Sequence, residues 1–206
     1  MRLKVYISLF LFLFVISLKA QKEYTFDVFT HYNVSNEYSK TNRLCYINSV
    51  DNTYYLSVFL KKEFTSAYLY DLKLNTFHTF KVNQIGNSDF DFIYLETKPL
   101  TSSMRDEVMI IETDLNDVVE NKKMTLKIFK SPQKKRPTSK VRMIVKPNDL
   151  NLFHAFKFSS LHPYEWCQNY KIDQNFLVLE AKDERKLIKL IDYKPVSFSL
   201  KIPNTN

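Results

Sequence analysis

The residues able to do chemistry are few and scattered. There are four histidines, His31, His78, His154 and His162, and two cysteines, Cys45 and Cys167. No H-E-x-x-H and no C-x-x-C occurs, so the usual zinc spacings are missing. His162 stands five residues before Cys167, but the partners of a Cys–His nucleophile meet in space rather than in sequence. Asp89 and Asp91 flank Phe90 and would share one strand face. Turn and strand-edge duty explains them more simply than paired-carboxylate hydrolysis does. Gly86 is the single glycine. A phosphate loop, a dinucleotide fingerprint and a G-x-S-x-G elbow each need at least two. We therefore assign no catalytic residue, no metal and no cofactor, and the expectation leans away from an enzyme.

Two further groups invite a binding role. His162-Pro163-Tyr164-Glu165-Trp166-Cys167 holds the only tryptophan. It reads as a recognition loop anchored by Trp166 and Tyr164, or, more simply, as a plug at one end of the core. The second group is SPQKKRPTSK, residues 131–140. Lys134, Lys135 and Arg136 sit there between two prolines, with Lys130 and Lys140 at the ends. An anionic surface would suit them; a solvated hairpin loop is the simpler account. Nucleic acid is disfavoured, because no aromatic residue interleaves with the basic ones.

The N-terminus looks like an address. Arg2 and Lys4 precede a nearly unbroken apolar run from Val5 to Leu18, and Lys19-Ala20 follows. Fourteen residues span about 21 Å as a helix, against a hydrocarbon core of roughly 30 Å. The pattern predicts a cleaved signal peptide over 1–20, with no transmembrane anchor left after cleavage. The mature chain from Gln21 would carry 27 basic and 22 acidic residues. With Ala20-Gln21 at the cut and a Lys/Asn/Tyr/Phe-rich, glycine-poor texture, the chain resembles exported proteins of Flavobacteria-type Bacteroidota. AT-rich eukaryotic parasites write similar proteins. The resemblance implies a periplasmic, envelope or secreted location and transfers no functional residue.

The mature chain reads as β throughout. Val196, Phe198, Leu200 and Ile202 alternate with polar residues, as do Met124, Leu126 and Ile128. Further β-branched and aromatic runs lie at 24–32, 54–61, 66–72, 76–82, 90–97, 108–113, 141–145, 176–181 and 187–191. Asp/Asn/Ser-rich turns separate them. This predicts an antiparallel sandwich or half-barrel of about ten short strands. Helix signals are limited to 115–123 and an ambiguous stretch at 150–158. The runs YYLSVFL and SAYLYDL are apolar on both faces. They fit central strands covered on both sides, or a curved sheet whose concave face holds a ligand.

Residues 21–206 are expected to form one domain. Cys45, Asp51 and Tyr54 match Cys167, Asp173 and Phe176 in spacing. A duplicated meander would make 21–130 and 141–206 related halves joined by the basic loop at 131–140. Hairpins drawn from a biased composition would look alike too. Export would permit a Cys45–Cys167 disulfide.

The functional expectation is a non-catalytic envelope binding protein. Its partner would be an apolar or lipid-like ligand, or an envelope protein. In texture alone the chain is similar to periplasmic lipid-carrier half-barrels. That version predicts an apolar cavity lined by Tyr55, Phe59, Tyr68, Tyr70, Phe90, Phe92 and Tyr94. The alternatives are a structural or protein-interaction module, and a hydrolase built on His154 or His162 with Asp149 or Glu165.

Overall fold

The computed structural model describes residues 22–60, 65–86, 90–100, 108–113, 122–131, 133–160, 169–171 and 174–203. The signal peptide expected at 1–20, the part of the helix signal at 115–121 and the group His162 to Cys167 lie outside them; Lys122 and Lys123, the rest of the helix signal at 115–123, begin a strand instead. The described residues form β1 (Lys22–Ser35), β2 (Lys40–Ile47), β3 (Tyr54–Leu60), β4 (Thr65–Asp71), β5 (Thr76–Gln84) and β6 (Phe90–Pro99). Then come β7 (Val108–Thr113), β8 (Lys122–Phe129), β9 (Ser139–Pro147), α1 (Phe153–Ser160), β10 (Asn169–Lys171), β11 (Phe176–Lys182) and β12 (Leu187–Ile202). All twelve strands join one open sheet, in the order β10-β7-β8-β9-β11-β12-β1-β2-β3-β4-β5-β6. β10 pairs parallel to β7, and the other pairings are antiparallel.

The sheet is strongly curled at its β6 end. Five strands separate β6 from β12 in the order, so a flat sheet would hold them about 29 Å apart. Yet Phe92 of β6 stacks on Phe198 of β12 with centroids 5.9 Å apart. The segment β12-β1-β2-β3-β4-β5-β6 is thus a half-barrel whose ends meet through side chains, not through a backbone ladder. Its inner face packs Tyr24, Phe26, Phe29, Tyr46, Leu56, Leu69 and Phe80 into one aromatic-rich core.

The opposite face buries α1. Phe153 and Phe156 pack with Tyr32, Met124, Leu126, Met143 and Val178. Leu152, Ala155 and Phe158 pack with Val28, Cys45, Ile47 and Tyr55. Asn151 Oδ1 accepts the Phe153 N–H at 3.1 Å and starts the helix. Seven of its eight residues are buried, including His154 and Lys157. The 150–158 ambiguity is settled as helix from Phe153, while Leu150 points outward and is 40% exposed. β1 to β3 are therefore covered on both faces, which is why Tyr54 to Val58 are buried without alternation.

β1 and β12 pair along nearly their whole length and tie the two cores together. A register shift between Phe26 and Val28 opposes Pro195. It lets Phe26 and Phe29 face the same core, as period-two alternation forbids. Pro195, which has no N–H, sits at this shift. The expected strands at 187–191 and 196–202 are consequently one element. The joint at 131–140 is the loop of the β8–β9 hairpin, closed by Thr138 N–H donating to Ile128 O at 2.7 Å. Among the described residues, no helix is long and apolar enough to cross a membrane.

Candidate functional site

The meeting of β6 and β12 leaves a cleft of about 340 Å³ lined by Tyr46, Phe90, Phe92, Lys194, Val196, Ser197 and Phe198. Its position follows from topology. β6 ends the sheet order, and β12 pairs with β11 only through residues 187–189. Beyond Lys189, β12 has β1 on one side alone. Two strand edges without a ladder therefore flank the cleft. Tyr46 of β2 forms its floor, 5.0 Å from Phe198 and 6.3 Å from Phe92 between centroids. Phe90 continues the wall 6.2 Å from Phe92. Lys194 brings a cation to this apolar surface, its Nζ 5.4 Å from the Phe29 ring centroid.

A polar chain closes the other part of the same inner face. Asp71, 1% exposed, accepts from Lys22 Nζ, from Tyr24 Oη at 2.6 Å and from Leu74 N–H at 2.7 Å. Asn75 supports this turn with φ 55°, a left-handed conformation asparagine tolerates. Tyr24 Oη lies 3.2 Å from His78 Nε2, and His78 Nδ1 lies 2.6 Å from Thr97 Oγ1. Tyr94 Oη lies 2.9 Å from the same hydroxyl. Burial works to raise the Asp71 carboxyl, but donation from Lys22, Tyr24 and Leu74 holds it below the usual carboxylate range. Burial lowers His78 to about 4, opposed by Asp71 and assisted by Lys22. Burial and Asp71 raise the Tyr24 phenol. With His78 neutral, Nε2–H donates to Tyr24, whose O–H donates to Asp71, and Thr97 donates to Nδ1. Every group is satisfied and none is poised to react, so the chain acts as a latch joining β1, β4, β5 and β6.

The seven aromatic residues expected to line one cavity divide between the two faces. Tyr55, Phe59, Tyr68 and Tyr70 share the helix-side face, as the pairings Tyr55↔Tyr70, Ser57↔Tyr68 and Phe59↔Ser66 require. Tyr55 is sandwiched between Phe158 at 4.1 Å and Tyr70 at 4.8 Å. Phe90, Phe92 and Tyr94 share the inner face with Phe80 and Val82. Alternation explains the division: a single cavity cannot be lined from both sides of one sheet. Phe90 and Phe92 reach the cleft, whereas Tyr94 belongs to the latch. Tyr46, Lys194, Val196 and Phe198 were missed. The alternation around Phe198 marked a strand, but nothing local says that β12 faces β6.

The remaining candidates are placed as follows. Trp166, Cys167, His162 and Glu165 lie outside the described residues. Cys45 is a free, buried thiol, and burial pushes it up to about 12. His154 is buried with Nε2 2.9 Å from Asn52 Nδ2, and burial, then Lys157, lowers it to about 4. Asp149 is exposed. Lys134, Lys135 and Arg136 are exposed on the β8–β9 loop. Among the described residues, no three His, Cys, Asp or Glu side chains gather to hold a metal. The chain matches no protein-family model, no curated protein and no solved structure.

Proposed function

We propose that this chain is an exported, non-catalytic binding protein of the envelope or periplasm that holds an apolar, lipid-like ligand in the β6–β12 cleft. The carrying observation is the cleft itself. Its volume falls at the lower end of the range for small-molecule sites, roughly 300–1,000 Å³, and four aromatic rings and Val196 line it beside Ser197 and Lys194. Lys194 supplies the one cation among its lining residues, suited to the acidic head of an amphiphile. The test is native mass spectrometry of protein purified without detergent, with titration of a fluorescent fatty acid. A small added mass lost on denaturation, and probe binding abolished by Phe198→Asp, support the proposal. A bare polypeptide mass with no probe binding overturns it.

A second reading rests on the two unpaired strand edges. An extended segment of a partner protein would add there as a strand and complete the half-barrel. The same spectrum separates the two readings, because this one requires a second polypeptide in the complex.

A further inference from the structure

The outer face of β8, β9 and β11 lies away from the cleft's lining, and its charge is extreme. Residues 122–146 hold ten of the chain's 30 Lys and Arg and none of its 22 Asp and Glu. The formal excess of +8 therefore resides on this one hairpin. Alternation sorts it. Val141, Met143 and Val145 are buried beneath the sheet, so Lys140, Arg142, Ile144 and Lys146 project outward. The register sets Lys123 opposite Ile144, Thr125 opposite Arg142 and Lys127 opposite Lys140 on β8. On β11, Lys182 stands opposite Arg142. The loop adds Lys130, Lys134, Lys135 and Arg136, all exposed. Glu180 is the acidic side chain on the β11 part of this face, and it pairs with Lys189 at 3.0 Å.

A second observation points to a ligand. Directly opposed side chains on neighbouring strands stand about 5 Å apart, and like charges there destabilise a sheet. Arg142 against Lys182 is such a pair, both exposed on the outward face. Bound anions relieve that repulsion; an ordinary solvated face would alternate the signs.

We propose that this face is a docking platform for an anionic phospholipid bilayer. Eight of the ten cations are lysines, point charges without the arginine fork that reads bases. Phe129, half-buried at the end of β8, is the one aromatic residue at the described outward positions of these strands, too few to stack successive bases. Three adjacent strands give a broad, exposed surface rather than a groove, matching a plane of headgroups. Ile144, 37% exposed at its middle, adds apolar contact. The platform stands whether or not the cleft binds a ligand.

The test is co-sedimentation of the full chain with phosphatidylcholine vesicles, with and without phosphatidylglycerol. Residues 5–18 contribute equally to every variant and so cancel. Tighter binding is expected with phosphatidylglycerol than without, and that excess is expected to vanish at high salt as the screening length shrinks. Each cation near the surface contributes about fivefold. The triple variant Lys123→Gln, Lys140→Gln, Arg142→Gln should therefore bind roughly a hundredfold more weakly. Its melting temperature should not fall, because the repulsive Arg142–Lys182 pair is removed. Lys73→Gln, on the β4–β5 turn, should bind as the parent does. Equal binding to neutral vesicles, a folded triple variant that binds unchanged, or tighter binding to duplex DNA at matched salt would each overturn the assignment.

Discussion

Acidification should destabilise this fold well before its carboxylates protonate, through two histidines held neutral in different parts of the molecule. His78 lies in the latch on the inner face and His154 in the buried helix. Each moves from an ordinary value of 6.5 to about 4 on folding. Between those values the unfolded chain takes up a proton that the folded chain refuses. Stability is therefore complete above about pH 6.5 and falls as pH drops towards 4. At pH 5 the loss is about 2 kcal/mol per histidine, or about 4 kcal/mol for the two acting independently. Asp71 does not confuse this window. Its carboxyl is depressed from 3.8, so its contribution is complete above that value and declines only at lower pH. Geometry gives the same sign. Asn52 Nδ2–H donates to His154 Nε2, which cannot accept once protonated. Charging His78 would turn Nδ1 into a donor and force Thr97 and Tyr94 to reverse their hydrogen bonds. The assay is urea unfolding at pH 8, 7, 6 and 5, with His78→Gln and His154→Gln as partners. Each variant should lose about half of the pH dependence. A flat profile from pH 8 to 5, or variants keeping the full slope, would refute the burial argument.

Two further outcomes follow from the helix-side core. Phe158→Ala removes the ring stacked 4.1 Å over Tyr55 and should cost about 3–5 kcal/mol in chemical denaturation; a cost below about 1 kcal/mol would mean that α1 is not seated as described. Cys45, pushed up to about 12, should react with a disulfide reagent at pH 8 about a thousandfold more slowly than an unburied thiol. The measurement uses Cys167→Ser, and labelling at the ordinary rate without denaturant would contradict the burial.

How much of this was legible in the sequence depends on how far apart the cooperating residues lie. Strands stood out wherever alternation was clean, as at Met124 to Ile128 and Val196 to Ile202. β2 escaped notice because its first four residues, Lys40, Thr41, Asn42 and Arg43, are polar. Only Leu44 to Ile47 reach the core. The 150–158 stretch was ambiguous because a helix buried on every side loses the polar stripe that normally reveals it. The helix starts later than the stretch does, at Phe153, whose N–H is accepted by Asn151 Oδ1. The continuous apolar run at Tyr54 to Leu60 did carry its meaning, since β3 has a core on each face.

The cleft was illegible for a stronger reason. Phe92 and Phe198 are neighbours only because seven strands curl until the first meets the last. Curl is set by accumulated twist and by the shift opposite Pro195, neither of which any short window displays. The seven expected aromatics were chosen by composition, and parity within each strand then decided which face each would serve. The basic hairpin is the opposite case. Its ten cations are in plain view, but the loop alone accounts for only Lys130, Lys134, Lys135, Arg136 and Lys140. Only the register, with Lys127 against Lys140 and Arg142 against Lys182, shows that the flanking strands continue the loop's charge across an open face. Residues that bind through one strand pair can be read from spacing; residues that bind across a closing sheet require the closure.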